Sequence, residues 1–187
     1  MKLNSRMKVN SGLILTLAVI GILIGPSLVR AQDVAVGQAT ATVLDVLSVT
    51  APQDLAFGDV LQGVPTSVAK TTDLAGGVGA GIFRISGAAA REVSAFMELP
   101  DYVSLADGSD RMVIAFASDD GNYNDAAAAT PSTVGATSTN PHSIPALTLS
   151  AAGDMALFLG GTVYPTVDQT AGAYSGDIIL TVAYNGN

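Results

Sequence analysis

Leu157-Phe-Leu-Gly-Gly-Thr-Val163, followed by Gly172-Ala-Tyr-Ser-Gly176 and then Asp177-Ile-Ile-Leu-Thr-Val-Ala-Tyr184, decides the fold class. The last eight residues are rich in β-branched and aromatic types and follow a turn bounded by glycine, the pattern of a terminal strand that closes a sheet sandwich. Outward from there, similar runs recur. Val34, Val36 and residues 39–50, then 55–60, 66–71, 82–86, 93–99, 112–117, 147–150 and 155–163 read as strands, with Gly, Pro, Asn and Asp at the junctions. No long segment places apolar residues at helical spacing between caps. The pattern predicts an all-β fold, an immunoglobulin-like antiparallel β-sandwich of about seven to nine strands.

Residues 1–31 have the three parts of a secretory signal peptide. Lys2, Arg6 and Lys8 form a cationic start, residues 12–24 an apolar run, and Val29 and Ala31 supply small residues where a peptidase would cut. The run has 13 residues, short of the roughly 17 to 25 that a membrane-spanning helix needs, so no permanent membrane span is expected after cleavage. Residues 32–187 are expected to form one domain in the periplasm or at the cell surface.

Four of the eight basic residues, but none of the sixteen acidic ones, lie in that leader, so the remainder is strongly acidic. Such a surface repels nucleic acid, which needs clustered Lys and Arg. The chain has no cysteine, so an exported domain of this composition must hold together through sheet pairing and aliphatic packing instead of disulfides. One stretch departs from the strand rhythm. Residues 119–145 combine Asp-Asp-Gly-Asn-Tyr-Asn-Asp, four consecutive alanines (126–129) and a tract of Thr, Ser, Pro and Gly. They read as a long, low-complexity, mobile loop.

Three segments form a further pattern: Asp54-Leu-Ala-Phe57-Gly58-Asp-Val60; Ile82-Phe83-Arg-Ile-Ser-Gly87; and Leu157 to Val163 with Gly160 and Gly161, continued by Gly172, Tyr174, Gly176 and the strand to Tyr184. In this order and spacing they resemble a family of exported bacterial proteins catalogued as a domain of unknown function, family 4402. That resemblance implies an immunoglobulin-like β-sandwich with no assigned enzyme activity and no catalytic residues. A looser likeness is to fimbrial and spore-coat-type subunits, whose C-terminal strand carries a glycine and, twelve residues later, an aromatic residue read by a periplasmic chaperone. Gly172 and Tyr184 have that spacing. The likeness implies self-association by strand addition, or a chaperone as partner.

Side-chain chemistry is sparse. Asp119, Asp120, Asn122, Asn124 and Asp125 bring oxygen donors together, as calcium requires, but without the register or distal Glu of an EF-hand, so a solvated turn is the expectation. Glu92 and Glu98, the only glutamates, would stand roughly 20 Å apart on one strand, beyond the reach of a glycosidase pair. His142 is the only histidine, which leaves no multi-histidine zinc site, and no Gly-x-Ser-x-Gly elbow surrounds a serine. The glycine-rich run 76–81 lacks the Lys-Ser or Lys-Thr of a phosphate loop and reads as a hairpin connection. Phe57 with Gly58, and Phe83, are expected to anchor the core. The sequence thus points to a secreted structural or adhesive envelope protein, a pilus-like, fibre-forming subunit without catalysis or cofactor. A soluble carbohydrate- or protein-binding module acting through the long loop is the alternative.

Overall fold

Short apolar runs cut by Gly, Pro and Asp leave little length in which a helix could nucleate, and the computed structural model, which describes residues 37–186, is all β. The expected signal peptide, Val34 and Val36 lie outside the described residues. By its internal contacts the chain falls into two units, Met1–Ala41 and Thr42–Asn187. All the strands among the described residues belong to the second.

In chain order β1 is Ser48–Gln53, β2 Ala56–Phe57, β3 Thr66–Val68, β4 Val78–Gly79 and β5 Gly81–Ser86. Then come β6 Glu92–Glu98, β7 Tyr102–Leu105, β8 Arg111–Ala115, β9 Gly121–Asn124 and β10 Thr137–Thr139. The last five are β11 Leu147–Thr148, β12 Asp154–Leu159, β13 Gly161–Tyr164, β14 Tyr174–Ser175 and β15 Ile179–Tyr184. Pairing is antiparallel in a sheet of order β1-β5-β12-β9-β10, a second of order β11-β6-β15, a third of order β14-β7-β8-β13-β3, and the small pair β2-β4.

The main core lies between the first two sheets. Phe83 and Ile85 of β5 and Met155, Leu157 and Leu159 of β12 meet Val93 and Met97 of β6 and Leu147 of β11, with half-buried Leu180, Val182 and Tyr184 of β15 packed against them. A second cluster, Met112 and Ile114 of β8 with Val163 of β13, packs the third sheet against Leu55, Phe57 and Val60. Phe83 is nearly fully buried and Phe57 partly so, in keeping with their reading as core anchors.

Several expectations are corrected in detail. Among the described residues fifteen short strands stand where seven to nine were expected, because Gly160 divides one apolar run and because β4, β7, β9, β10 and β14 are too short, polar or glycine-rich to be marked by composition. The run 155–163 is two strands hinged at Gly160, β12 in the first sheet and β13 in the third. Strand structure predicted for 39–50 begins only at Ser48, and residues 37–47 have no regular structure. Gly172 to Gly176, read as a turn, contains β14, which pairs with β7 in the third sheet before the chain crosses to β15 in the second.

The largest correction concerns residues 119–145. They contain β9 and β10, and β9 pairs along β12 in register from Leu159↔Gly121 to Ala156↔Asn124. Beyond β9, Ala129 is buried with Ile82, Ala156 and Phe158 on the outer face of the first sheet, which is why β12 is buried on both faces. Small alanines suit this cover because they bring backbone close to a sheet. Three charged side chains fasten it. Arg84 donates to the carbonyls of Ala127 and Ala129, Asp73 accepts from the Ser132 N–H and hydroxyl, and the Lys70 ammonium donates to Ser138 Oγ and the Asp119 carbonyl. The Ser132 hydroxyl and N–H lower the Asp73 carboxyl from its ordinary value.

Candidate functional site

The sequence Ile178-Ile-Leu-Thr-Val-Ala-Tyr184 contains no charge and no proline, and it ends a sheet. Among the described residues β15 has one strand neighbour, β6, in register from Ile179↔Glu98 to Tyr184↔Val93. The Asn185 N–H donates to the Glu92 carbonyl at 3.0 Å, one step beyond that ladder. Antiparallel pairing alternates, so Ile179, Thr181 and Ala183 turn their backbone groups to β6. The N–H and C=O groups of Leu180, Val182 and Tyr184 face away from β6, along the edge. Edges in folded proteins are usually blunted by Lys, Pro, a bulge or a covering segment; β15 carries neither Lys nor Pro.

Across from β15, β1 is the outer strand of the first sheet and has only β5 beside it. The two edges are pinned together at one end. Tyr184 Oη accepts from the Ala88 N–H at 2.5 Å and donates to the Asp45 carbonyl at 2.9 Å. Gly87 makes room for this, since a Cβ there would collide with the Tyr184 hydroxyl and with Leu47. Toward the other end the edges part around a groove of about 1180 Å³. Gln53, Leu55 and Phe57 form one wall and Tyr174, Ile178 and Ile179 the other, over a floor that includes Phe83, Met112 and Ile114.

A polar knot shapes the second wall. Asp110 Oδ2 accepts three hydrogen bonds of 2.8 Å each, from Gln169 Nε2, the Thr170 N–H and the Tyr174 hydroxyl. Gln169 is buried, and its Oε1 accepts from the Thr166 N–H. The Thr170 N–H first, then the Tyr174 hydroxyl, hold the Asp110 carboxyl well below the usual carboxylate range. Desolvation, and then the neighbouring Asp110, raise the Tyr174 phenol, so it remains a neutral donor. Nothing in the sequence singled out Asp110 or Gln169, because the bonds that join Asp110 to Gln169 and Thr170 span 59 and 60 residues. The one legible signal was Tyr174 between two glycines. A Cβ on Gly172 would stand 2.6 Å from Leu105 Cδ2, and one on Gly176 3.1 Å from the Tyr102 carbonyl oxygen, so both glycines let this segment lie against β7.

The other glycines singled out in the sequence also serve close approach. Gly58 has φ +67° and lies against Val78, Gly160 against the backbone of Val68 and Lys70, and Gly161 against the Phe116 ring. The acidic residues of 119–125 are used locally: Asp120 Oδ2 accepts from the Ala117 N–H, Asn124 Oδ1 accepts from the Ala126 N–H, and Asn122 is buried on β9. Among the described residues no group of three or more His, Asp or Glu side chains is placed to hold a metal, and no helix is long and apolar enough to cross a membrane. Glu92 and Glu98 sit at opposite ends of β6, both exposed. His142 is exposed, with Nε2 2.9 Å from the Phe116 carbonyl oxygen. No family model, no curated protein and no solved structure matches the chain.

Proposed function

We propose that this chain is an exported structural subunit of the bacterial envelope that builds fibres by capturing a β-strand from a second copy at the edge of β15. The observation that carries this reading is the outward-facing backbone of Leu180, Val182 and Tyr184 along an edge whose Ile179 end opens onto a groove lined by apolar and polar residues. Strand addition supplies main-chain hydrogen bonds to such an edge, while alternate side chains fill the groove. The donor is the segment before β1. It follows the signal-like leader, has no regular structure over residues 37–47, and holds Val43 and Val46 at 95% and 88% exposure. Export and envelope location rest on the leader and on the family resemblance; the sparse catalytic inventory supports a structural or adhesive role over an enzymatic one. A module binding through residues 119–145 ranks behind, since that segment is packed on the first sheet.

Deleting residues 33–41 tests the reading. The expected outcome is a folded monomer by circular dichroism and light scattering, where the full mature chain forms linear polymers visible by electron microscopy. A full chain that stays monomeric at high concentration, or a deletion variant that still polymerises, overturns it.

A further inference from the structure

The groove wall opposite β1 is built from residues that β-pairing alone holds weakly. Between Tyr164 and Ile179 the chain has only the two-residue β14, paired as Tyr174↔Leu105 and Ser175↔Ser104. It then leaves the third sheet to join the second. The remaining ties run through one turn. The Gly63 N–H donates to the Thr166 carbonyl at 2.9 Å, Gln62 Nε2 donates to the Gln169 carbonyl, and Asp110 gathers Gln169, Thr170 and Tyr174 onto one carboxylate oxygen. The Tyr174 hydroxyl also lies 2.7 Å from the Thr170 carbonyl oxygen, which closes the turn on itself. Meanwhile the Tyr174 ring packs on the Met112, Ile114 and Val163 cluster that floors the groove.

We infer that Asp110 is a positioning residue for strand capture: by anchoring Gln169, Thr170 and Tyr174 on the β7–β8 hairpin, it fixes the 169–178 wall so that the groove stays open beside β15. The inference deepens the strand-capture reading and rests on it. Asp110 itself touches no incoming strand; it acts through the Tyr174 ring and the backbone that leads into Ile178. The carboxylate suits this role because one oxygen accepts from several donors at once, and hydrogen bonds to an ionised acceptor are roughly twice as strong as neutral ones.

The test uses the full mature chain and a synthetic peptide of residues 33–46, with affinity read by fluorescence anisotropy and amide hydrogen exchange read at 174–178. Asp110→Ala is expected to weaken peptide binding about tenfold, the equivalent of one lost charge-assisted hydrogen bond, and to speed exchange at 174–178. Tyr174→Phe, which keeps the ring and removes only the hydroxyl, is expected to move both readouts in the same direction by less, and it serves if Asp110→Ala does not fold. Arg84→Ala, which loosens the cover on the far side of the first sheet, controls for general destabilisation and is expected to leave peptide affinity unchanged. Equal peptide affinity in the wild type, Asp110→Ala and Tyr174→Phe, or unaltered exchange at 174–178, overturns the role of Asp110 alone. A wild-type chain that takes up no peptide overturns strand capture, and this inference with it.

Discussion

At Asp110 a single side chain joins segments distant in sequence, and its ionisation makes that junction dependent on pH. The Thr170 N–H and the Tyr174 hydroxyl lower its carboxyl in the folded protein, while an unfolded Asp titrates near about 3.9. A group whose folded pKa is depressed contributes stability that is fully present above the unfolded value and is lost as pH falls through the folded one. The urea midpoint of the wild type is therefore expected to exceed that of Asp110→Asn most at neutral pH, with the gap narrowing below about pH 4. A gap that stays constant from neutral pH down to about pH 2.5 would show that the carboxylate charge does not matter there. Tyr184 plays a comparable part: its hydroxyl serves Ala88 and Asp45 together, and Gly87 is small because that hydroxyl lies against it.

Among the elements, the β12–β13 hinge shows how a glycine turns one apolar run into strands of two sheets. At Gly160 an added Cβ would lie 2.5 Å from the Val68 carbonyl oxygen and 2.6 Å from the Lys70 nitrogen, both backbone atoms that cannot swing aside. Gly160→Ala is expected to cost about 1–3 kcal/mol in chemical denaturation, as overpacking generally does, and to loosen the pairing of β13 with β3. A loss below about 0.5 kcal/mol, the range of ordinary surface substitutions, would mean the hinge yields freely. The same hinge explains what could be read from sequence. Strands with β-branched or large apolar residues on an inward face, such as 82–86, 93–99 and 179–184, announce themselves by composition. By contrast, β7, β9, β10 and β14 do not, since they are short, polar or bounded by glycine and owe their pairing to neighbours far along the chain. Residues 119–145 read as a loop because their cover is made by the small side chain of Ala129 and by backbone; Lys70, Asp73 and Arg84, which fasten it, lie 43 to 68 residues before their partners.

For the whole molecule, the free edge and the groove together describe a sandwich whose first and second sheets close at the Tyr184 end and part at the other. A protein that kept such an edge only by accident would be selected to blunt it, because an unprotected edge is a template for aggregation. Under strand capture the same edge is the working surface, and the alternation along β15 makes a sharp distinction between adjacent positions. Thr181 directs its N–H to β6, whereas Val182 directs its N–H to the edge. Proline removes the N–H and is tolerated in a sheet only where that group is not paired. Val182→Pro is therefore expected to fold, at reduced stability from its lost packing, and to fail to polymerise or to bind the 33–46 peptide. Thr181→Pro is expected to break the β6 ladder and abolish the fold itself, as judged by circular dichroism and thermal unfolding. If Val182→Pro polymerises like the wild type, the incoming strand does not use this edge; if it is Thr181→Pro that folds and Val182→Pro that does not, the register assigned to β15 is wrong.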